Sequence, residues 1–86
     1  MNINKIMEKH GFSAGLSGGG CEWYTKEIRF QGSDVFVAIT DDGGLDLPES
    51  LEEPVYVGLY DLESGDEIVE AELHKTLEGY LDSIAA

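Results

Sequence analysis

Between Phe30 and His74 the sequence has no lysine and no arginine, although thirteen carboxylates fall in that stretch. A field of that sign repels phosphate and anionic lipid, so direct binding to nucleic acid or to an acidic membrane is excluded. It attracts cationic protein surfaces instead. The flanks nearly cancel: residues 1–29 hold four bases against three acids, and residues 75–86 one base against two acids, so the acidic stretch accounts for essentially the whole net charge of −13. Cysteine is almost missing as well. Cys21 stands alone, which rules out an intramolecular disulfide and fits a reducing compartment. Long apolar runs are lacking: the longest covers residues 35–39, far short of the roughly 20 residues that span a bilayer. Lys5, Glu8 and Lys9 break any signal-like apolar region near the start. The expected location is cytoplasmic.

What is present suffices for one small core. The chain has 86 residues, 42% of them hydrophobic, which gives a single domain over residues 1–86. Such a domain buries only about 60–65% of its unfolded surface, so a net stability of several kcal/mol is expected. Self-repulsion among the acids lowers it further, and added salt or mild acid relieves that repulsion.

Hydrophobic periodicity divides the chain. Ile3, Ile6, Met7 and His10 recur at helical spacing after Asn2 or Asn4 as a cap. Gly11 stands where a left-handed helix end belongs, with Phe12 as its apolar partner. Residues 13–20 hold four glycines and no charge, and read as a flexible loop or the start of a weak strand. From Glu22 the pattern alternates: Tyr24, Ile28 and Phe30 lie on one side, and Trp23, Thr25, Glu27 and Arg29 on the other. Gln31, Gly32, Ser33 and Asp34 supply turn chemistry, and a second strand over 35–40 places Val35, Val37 and Ile39 on one face. Residues 41–53 form a polar connection. Pro54 then opens a third strand over 55–60, the segment 63–66 makes a hairpin turn, and Ile68, Val69, Ala71 and Leu73 form a fourth strand. Val69, Leu73, Leu77, Tyr80 and Ile84 are also spaced for one long helix from Asp66; the β-branched pair after a strong turn favours the strand. Thr76 caps a last helix with Leu77, Tyr80, Leu81 and Ile84 as its buried stripe. The fold class is therefore α+β: an antiparallel sheet of three to four strands, with a short N-terminal and a C-terminal helix packed on the Val35/Val37/Ile39 face. Phe36, Tyr56 and Tyr60 are left on a partly exposed aromatic face.

Several constellations invite a chemical reading. Counting Asp42 as position one of a calcium loop puts Asp46 at five and Glu53 at twelve, but position three is Gly44 and position six is Leu47 where glycine is required. Gly15, Gly18, Gly19 and Gly20 are followed by neither a Lys-Ser/Thr pair nor a helix start, so no phosphate loop is met. His10, Cys21 and His74 are not at ligand spacing to one another. No cofactor, no metal and no catalytic signature is expected. Trp23, Tyr56 and Tyr60 could stack on bases, but single-strand binders surround such rings with Lys and Arg, whereas here the neighbours are acids. The same rings suit a protein interface.

The acids form two groups: Asp41, Asp42, Asp46, Glu49, Glu52 and Glu53 in the connection, then Asp61, Glu63, Asp66, Glu67, Glu70 and Glu72 around the second hairpin. On a regular strand Glu70 and Glu72 share a face with Ile68 and repeat every ~7 Å, close to the spacing of phosphates along a nucleic-acid strand. In its size, acidity, expected α+β order and opening Met1-Asn2-Ile3-Asn4 before a short helix, the chain resembles the small phage-encoded inhibitors of host defence, the anti-CRISPR proteins. The resemblance implies an acidic surface that blocks the nucleic-acid groove of a CRISPR effector in the host cytoplasm. The expected partner is a basic protein surface belonging to a nucleic-acid-binding protein or complex. It would be held by these twelve carboxylates with Tyr56 and Tyr60, without catalysis and without direct nucleic-acid contact. The alternative is a structural or adaptor module that self-associates through the aromatic face, with acidity serving only solubility. Oligomeric state is open.

Overall fold

The computed structural model describes residues 3–16, 22–44 and 46–84. Its elements run α1 (Ile3–Lys9), β1 (Ser13–Leu16), β2 (Glu22–Phe30), β3 (Ser33–Asp41), β4 (Val55–Asp61), β5 (Glu67–His74) and α2 (Leu77–Ile84). The five strands form one antiparallel sheet in chain order, β1-β2-β3-β4-β5. The architecture is α+β as the pattern predicts, with one strand more than the three to four expected.

The extra strand is β1. It pairs with β2 from Ser13 opposite Thr25 to Leu16 opposite Glu22. All four of its residues are exposed, so there was no buried-exposed alternation to betray it, and backbone pairing alone makes it a strand. Residues 17–21, which include most of the glycine run and Cys21, lie outside the described residues.

The end of α1 follows from Gly11. At φ +89° it lets the Phe12 N–H donate to the Met7 carbonyl (2.9 Å) while its own N–H donates to the Glu8 carbonyl (3.0 Å). That pair of bonds is a Schellman motif, and it turns Phe12 inward to 1% exposure. Of the two candidate caps, Asn4 lies inside α1 and donates Nδ2–H to Glu8 Oε1 at 3.3 Å, and Asn2 falls outside the described residues. At the other end of the chain Thr76 Oγ1 accepts the Gly79 N–H at 3.0 Å, the expected cap of α2.

Met7 and Phe12 meet Tyr24, Val37, Ile39 and Val55 from the sheet and Leu77 and Leu81 from α2 in one buried cluster. Both helices therefore bury against the same sheet face. Ile84, expected in the buried stripe, is the last residue of α2 and is 40% exposed.

Residues 67–74 are a strand, not the start of a long helix. The strand is irregular. Val57 faces Glu72, Leu59 faces Val69 and Tyr60 faces Glu67, so Glu70 and Ala71 together oppose Gly58, and Ile68 is interposed. These two register shifts break strict alternation, so the regular ~7 Å repeat expected for Glu70 and Glu72 is not present. The first hairpin also turns more tightly than the four-residue segment implied. Gln31 (φ 51°) and Gly32 (φ 83°) alone connect β2 to β3, both in the left-handed region that a two-residue type I′ turn requires.

Candidate functional site

The twelve expected contact carboxylates fall at two ends of the sheet and along one edge. Asp41 ends β3 and opposes the first residue of β4, whereas Asp61 ends β4 and opposes Val35 near the start of β3. Six residue steps separate those pairs, so the 42–54 connection and the 62–66 turn lie about 20 Å apart. Glu67, Glu70 and Glu72 lie on β5, an outer strand of the sheet, and link the two ends. The connection reaches α2 as well: the Leu77 N–H donates to the Glu53 carbonyl (3.0 Å) and the Glu78 N–H to the Leu51 carbonyl (2.9 Å). An acidic rim thus runs from the 62–66 turn, along β5, to the 42–54 connection. The bases Lys5, Lys9 and Lys26 belong to α1 and β2, outside the stretch that forms this rim.

Three of the twelve carboxylates organise backbone. Asp61 Oδ1 accepts the N–H groups of Glu63 (2.8 Å) and Ser64 (3.0 Å), and the Asp61 N–H closes the turn on the Asp66 carbonyl (2.8 Å). The two backbone N–H donors hold the Asp61 carboxyl below its ordinary pKa. Asp41 repeats the device. Its Oδ1 accepts from Gly43 (3.1 Å) and, at 3.5 Å, from Asp46, and its N–H donates to the Asp46 carbonyl (2.8 Å). Glu53 Oε1 accepts the N–H groups of Glu49 and Ser50, the latter at 2.7 Å. Asp41, Glu53 and Asp61 are half-buried, while Asp42, Asp46, Glu49, Glu52, Glu63, Asp66, Glu67, Glu70 and Glu72 are exposed. The exposed nine present their side chains to solvent. The repeated Asp-x-x-x-x-Asp spacing at 41/46 and 61/66 was a readable signal of the structural ones.

The 42–54 connection is also less solvated than its composition suggested. Pro48 is fully buried, and Leu47 and Leu51 pack against the core cluster. Those apolar side chains pin an open cleft of about 700 Å³, lined by Ile3, Leu47 and Pro48 with Glu22, Asp41, Asp46, Glu49 and Glu53. Glu22, which no sequence argument singled out, enters this cleft because β2 begins beside it. Glu52 lines a smaller neighbouring cleft with Glu49 and Glu78. At the far end Asp61 and Glu63 share a shallow hollow with Gly32, Ser33 and Asp34. There Arg29 Nε and Asp34 Oδ1 form an exposed ion pair at 3.5 Å.

The sheet face away from the helices carries the aromatics. Phe36 and Tyr60 are cross-strand neighbours, stacked with centroids 5.4 Å apart and planes 20° apart. Trp23 lies 5.6 Å from each, edge-on to Phe36 and tilted on Tyr60. Gly58 makes room here: a Cβ at that position would meet Tyr60 Cε2 at 3.4 Å and Ala71 Cβ at 3.5 Å. Tyr56 lies on the same face, between Thr40 and Leu73. All four rings are half-buried, and Leu73 is 56% exposed. Burial, and secondarily the charge of Glu67, raises the Tyr60 phenol above its usual pKa.

Among the described residues no group of three or more His, Cys, Asp or Glu side chains is arranged to hold a metal ion. His74 packs edge-on against Tyr80 at 4.9 Å, within the seam between β5 and α2. No described helix is long and apolar enough to cross a membrane. No protein-family model, curated protein or solved structure matches the chain.

Proposed function

We propose that this protein is a non-enzymatic inhibitor that occupies a basic nucleic-acid-binding groove of a target protein, in the manner of an anti-CRISPR protein acting on a CRISPR effector. The observation that carries the reading is the acidic rim: nine exposed carboxylates at the 42–54 connection, the 62–66 turn and the β5 edge, in a stretch without one lysine or arginine. Unbalanced charge of this kind accelerates encounter with a cationic surface, and a few aromatic anchors then fix the complex. Asp41, Glu53 and Asp61 serve the site indirectly, by shaping the loops that present Asp42, Asp46, Glu49, Glu63 and Asp66.

The test is capture from a nuclease-treated bacterial lysate at low salt, with the protein immobilised. The retained partner should be a nucleic-acid-binding protein, released by duplex DNA or guide RNA and by rising salt. A partner that holds nucleic acid and this protein at once, or binding indifferent to salt, would count against occlusion. The exposed Leu73 beside Tyr56 favours a second reading, self-association through the aromatic face. Concentration-dependent sedimentation that persists after neutralising the rim acids would support that reading instead.

A further inference from the structure

The open sheet face has an ordered row that its sequence order hides. Register places Glu27 opposite Phe36, Phe36 opposite Tyr60, and Tyr60 opposite Glu67. Across four strands the row reads carboxylate, phenyl, phenol, carboxylate. Adjacent strands lie about 4.8 Å apart, so the two carboxylates stand roughly 14 Å apart with the aromatic stack between them. Stacking uses the inner faces of Phe36 and Tyr60. Their outer sides look towards β2 and β5, where Glu27 and Glu67 are exposed. The next row, Thr25–Ala38–Gly58, is made of small residues, and the rings pack over it: Tyr60 Cε2 lies 3.4 Å from where a Gly58 Cβ would stand, and Ala38 is buried.

Three classes of occupant can be compared on charge. A nucleic-acid base brings phosphates into an acidic field and is disfavoured. A second copy brings another −13 and sets acid-rimmed face against acid-rimmed face. A cation meets both parts of the row favourably, since the ring faces are negative and the flanking groups are carboxylates. A guanidinium fits better than an ammonium: it is planar, stacks on an aromatic ring, and keeps its edge N–H groups free to fork onto a carboxylate.

Resting on the reading of the protein as a binder of basic surfaces, we propose that the open sheet face is an arginine-docking surface, where partner guanidinium groups stack on Phe36 and Tyr60 and pair with Glu27 and Glu67. Trp23 buttresses the stack and, as the single tryptophan of the chain, reports on its occupancy. The acidic rim then attracts the partner, and this row selects arginine from it. Glu27 lies outside the acidic stretch and joins the site only through strand register.

The experiment titrates the full protein at low salt with octa-arginine and, separately, octa-lysine, following Trp23 emission and calorimetric heat. Octa-arginine should change the emission saturably and bind at least about threefold more tightly than octa-lysine. Glu27→Gln with Glu67→Gln should weaken octa-arginine about fivefold or more, whereas Glu8→Gln with Asp82→Asn, which removes the same charge from the helix side, should cost less than about twofold. Circular dichroism confirms that both double variants keep the fold. Equal binding of the two peptides, unchanged Trp23 emission, or equal losses in the two double variants would each overturn arginine docking at this face while leaving a general attraction for cations intact. Absence of binding by either peptide would overturn both that attraction and the docking built on it.

Discussion

Replacing Gly11 by alanine should be among the costliest single-methyl changes in this protein. Gly11 holds φ +89° at the junction between α1 and β1, and its geometry delivers the Phe12 N–H to the Met7 carbonyl. An L-residue in the left-handed region loses about 1–2 kcal/mol, because Cβ crowds the neighbouring carbonyl oxygen. The added Cβ would also sit 3.1 Å from Lys26 Cε and 3.4 Å from Lys26 Cδ. The lysine stem can yield by a few tenths of an ångström, but it is committed: its Nζ lies 5.8 Å from the centroid of the Phe12 ring. Shifting it spends part of a cation–π contact worth about 0.5–1 kcal/mol at a surface site. A total near 2 kcal/mol corresponds to a fall in Tm of roughly 8–16 °C for a domain of this length. Thermal and urea unfolding followed by circular dichroism measure it. Gly32→Ala is the internal control, since Gly32 has φ +83° with no atom within 4 Å of a new Cβ. It should show the conformational cost alone, and Gly11→Asn should recover part of the loss, because asparagine tolerates the left-handed region. A Gly11→Ala protein as stable as the parent would refute the Schellman ending and, with it, the account of how Phe12 enters the core.

Gln31→Asn should stabilise the protein by about 0.5–1 kcal/mol, since asparagine suits the first position of a type I′ turn better than glutamine; chemical denaturation reads the gain. Thr76→Ala should cost about 1 kcal/mol through loss of the Gly79 N–H bond, and Thr76→Ser should retain most of it in the same assay. The Asp61 carboxyl has its folded pKa lowered, so its contribution is present above the unfolded value near 3.8 and fades as pH falls through the folded one. Asp61→Asn should flatten that acid limb in a series of melts across pH. Burial raises the phenols of Tyr24, Tyr60 and Tyr80 above 10.0, so their linked stability is complete below that pH and declines as alkali ionises them. An ultraviolet titration should therefore show phenolate forming late, together with unfolding.

Much of this fold was legible because its elements advertise themselves in one dimension. Met7 and Phe12 around Gly11, and Val35, Val37 and Ile39 in strict alternation, carry their burial in their spacing. The misses share a cause. The four residues of β1 bury nothing, the bulged pairing of β5 departs from any period, and Leu47, Pro48 and Leu51 are scattered among acids and glycines. In each case tertiary contact decides the structure without a local pattern to announce it. The site divides the same way. That a carboxylate lies in the acidic stretch is visible at once. Asp61 capping its own turn and Glu67 standing beside Tyr60 depend on hydrogen-bond geometry and register, which composition does not encode.

The connection between the sequence asymmetry and a spatial one is the topology itself. In an order β1-β2-β3-β4-β5, position along the chain maps directly onto position across the sheet. The near-neutral strands β1 and β2 therefore take one edge of the sheet, and the acidic stretch from β3 to β5 takes the other. A Greek key would have interleaved early and late strands, setting Lys26 and Arg29 among the acids and dissipating the field. The meander does the reverse, and it leaves β5, with Glu67, Glu70 and Glu72, as an outer edge. Edge acids guard against pairing with a second acidic copy, since like charges opposite one another destabilise an antiparallel pair. The same acids leave that edge open to a cationic partner, so one placement of charge both discourages self-association and selects what can approach.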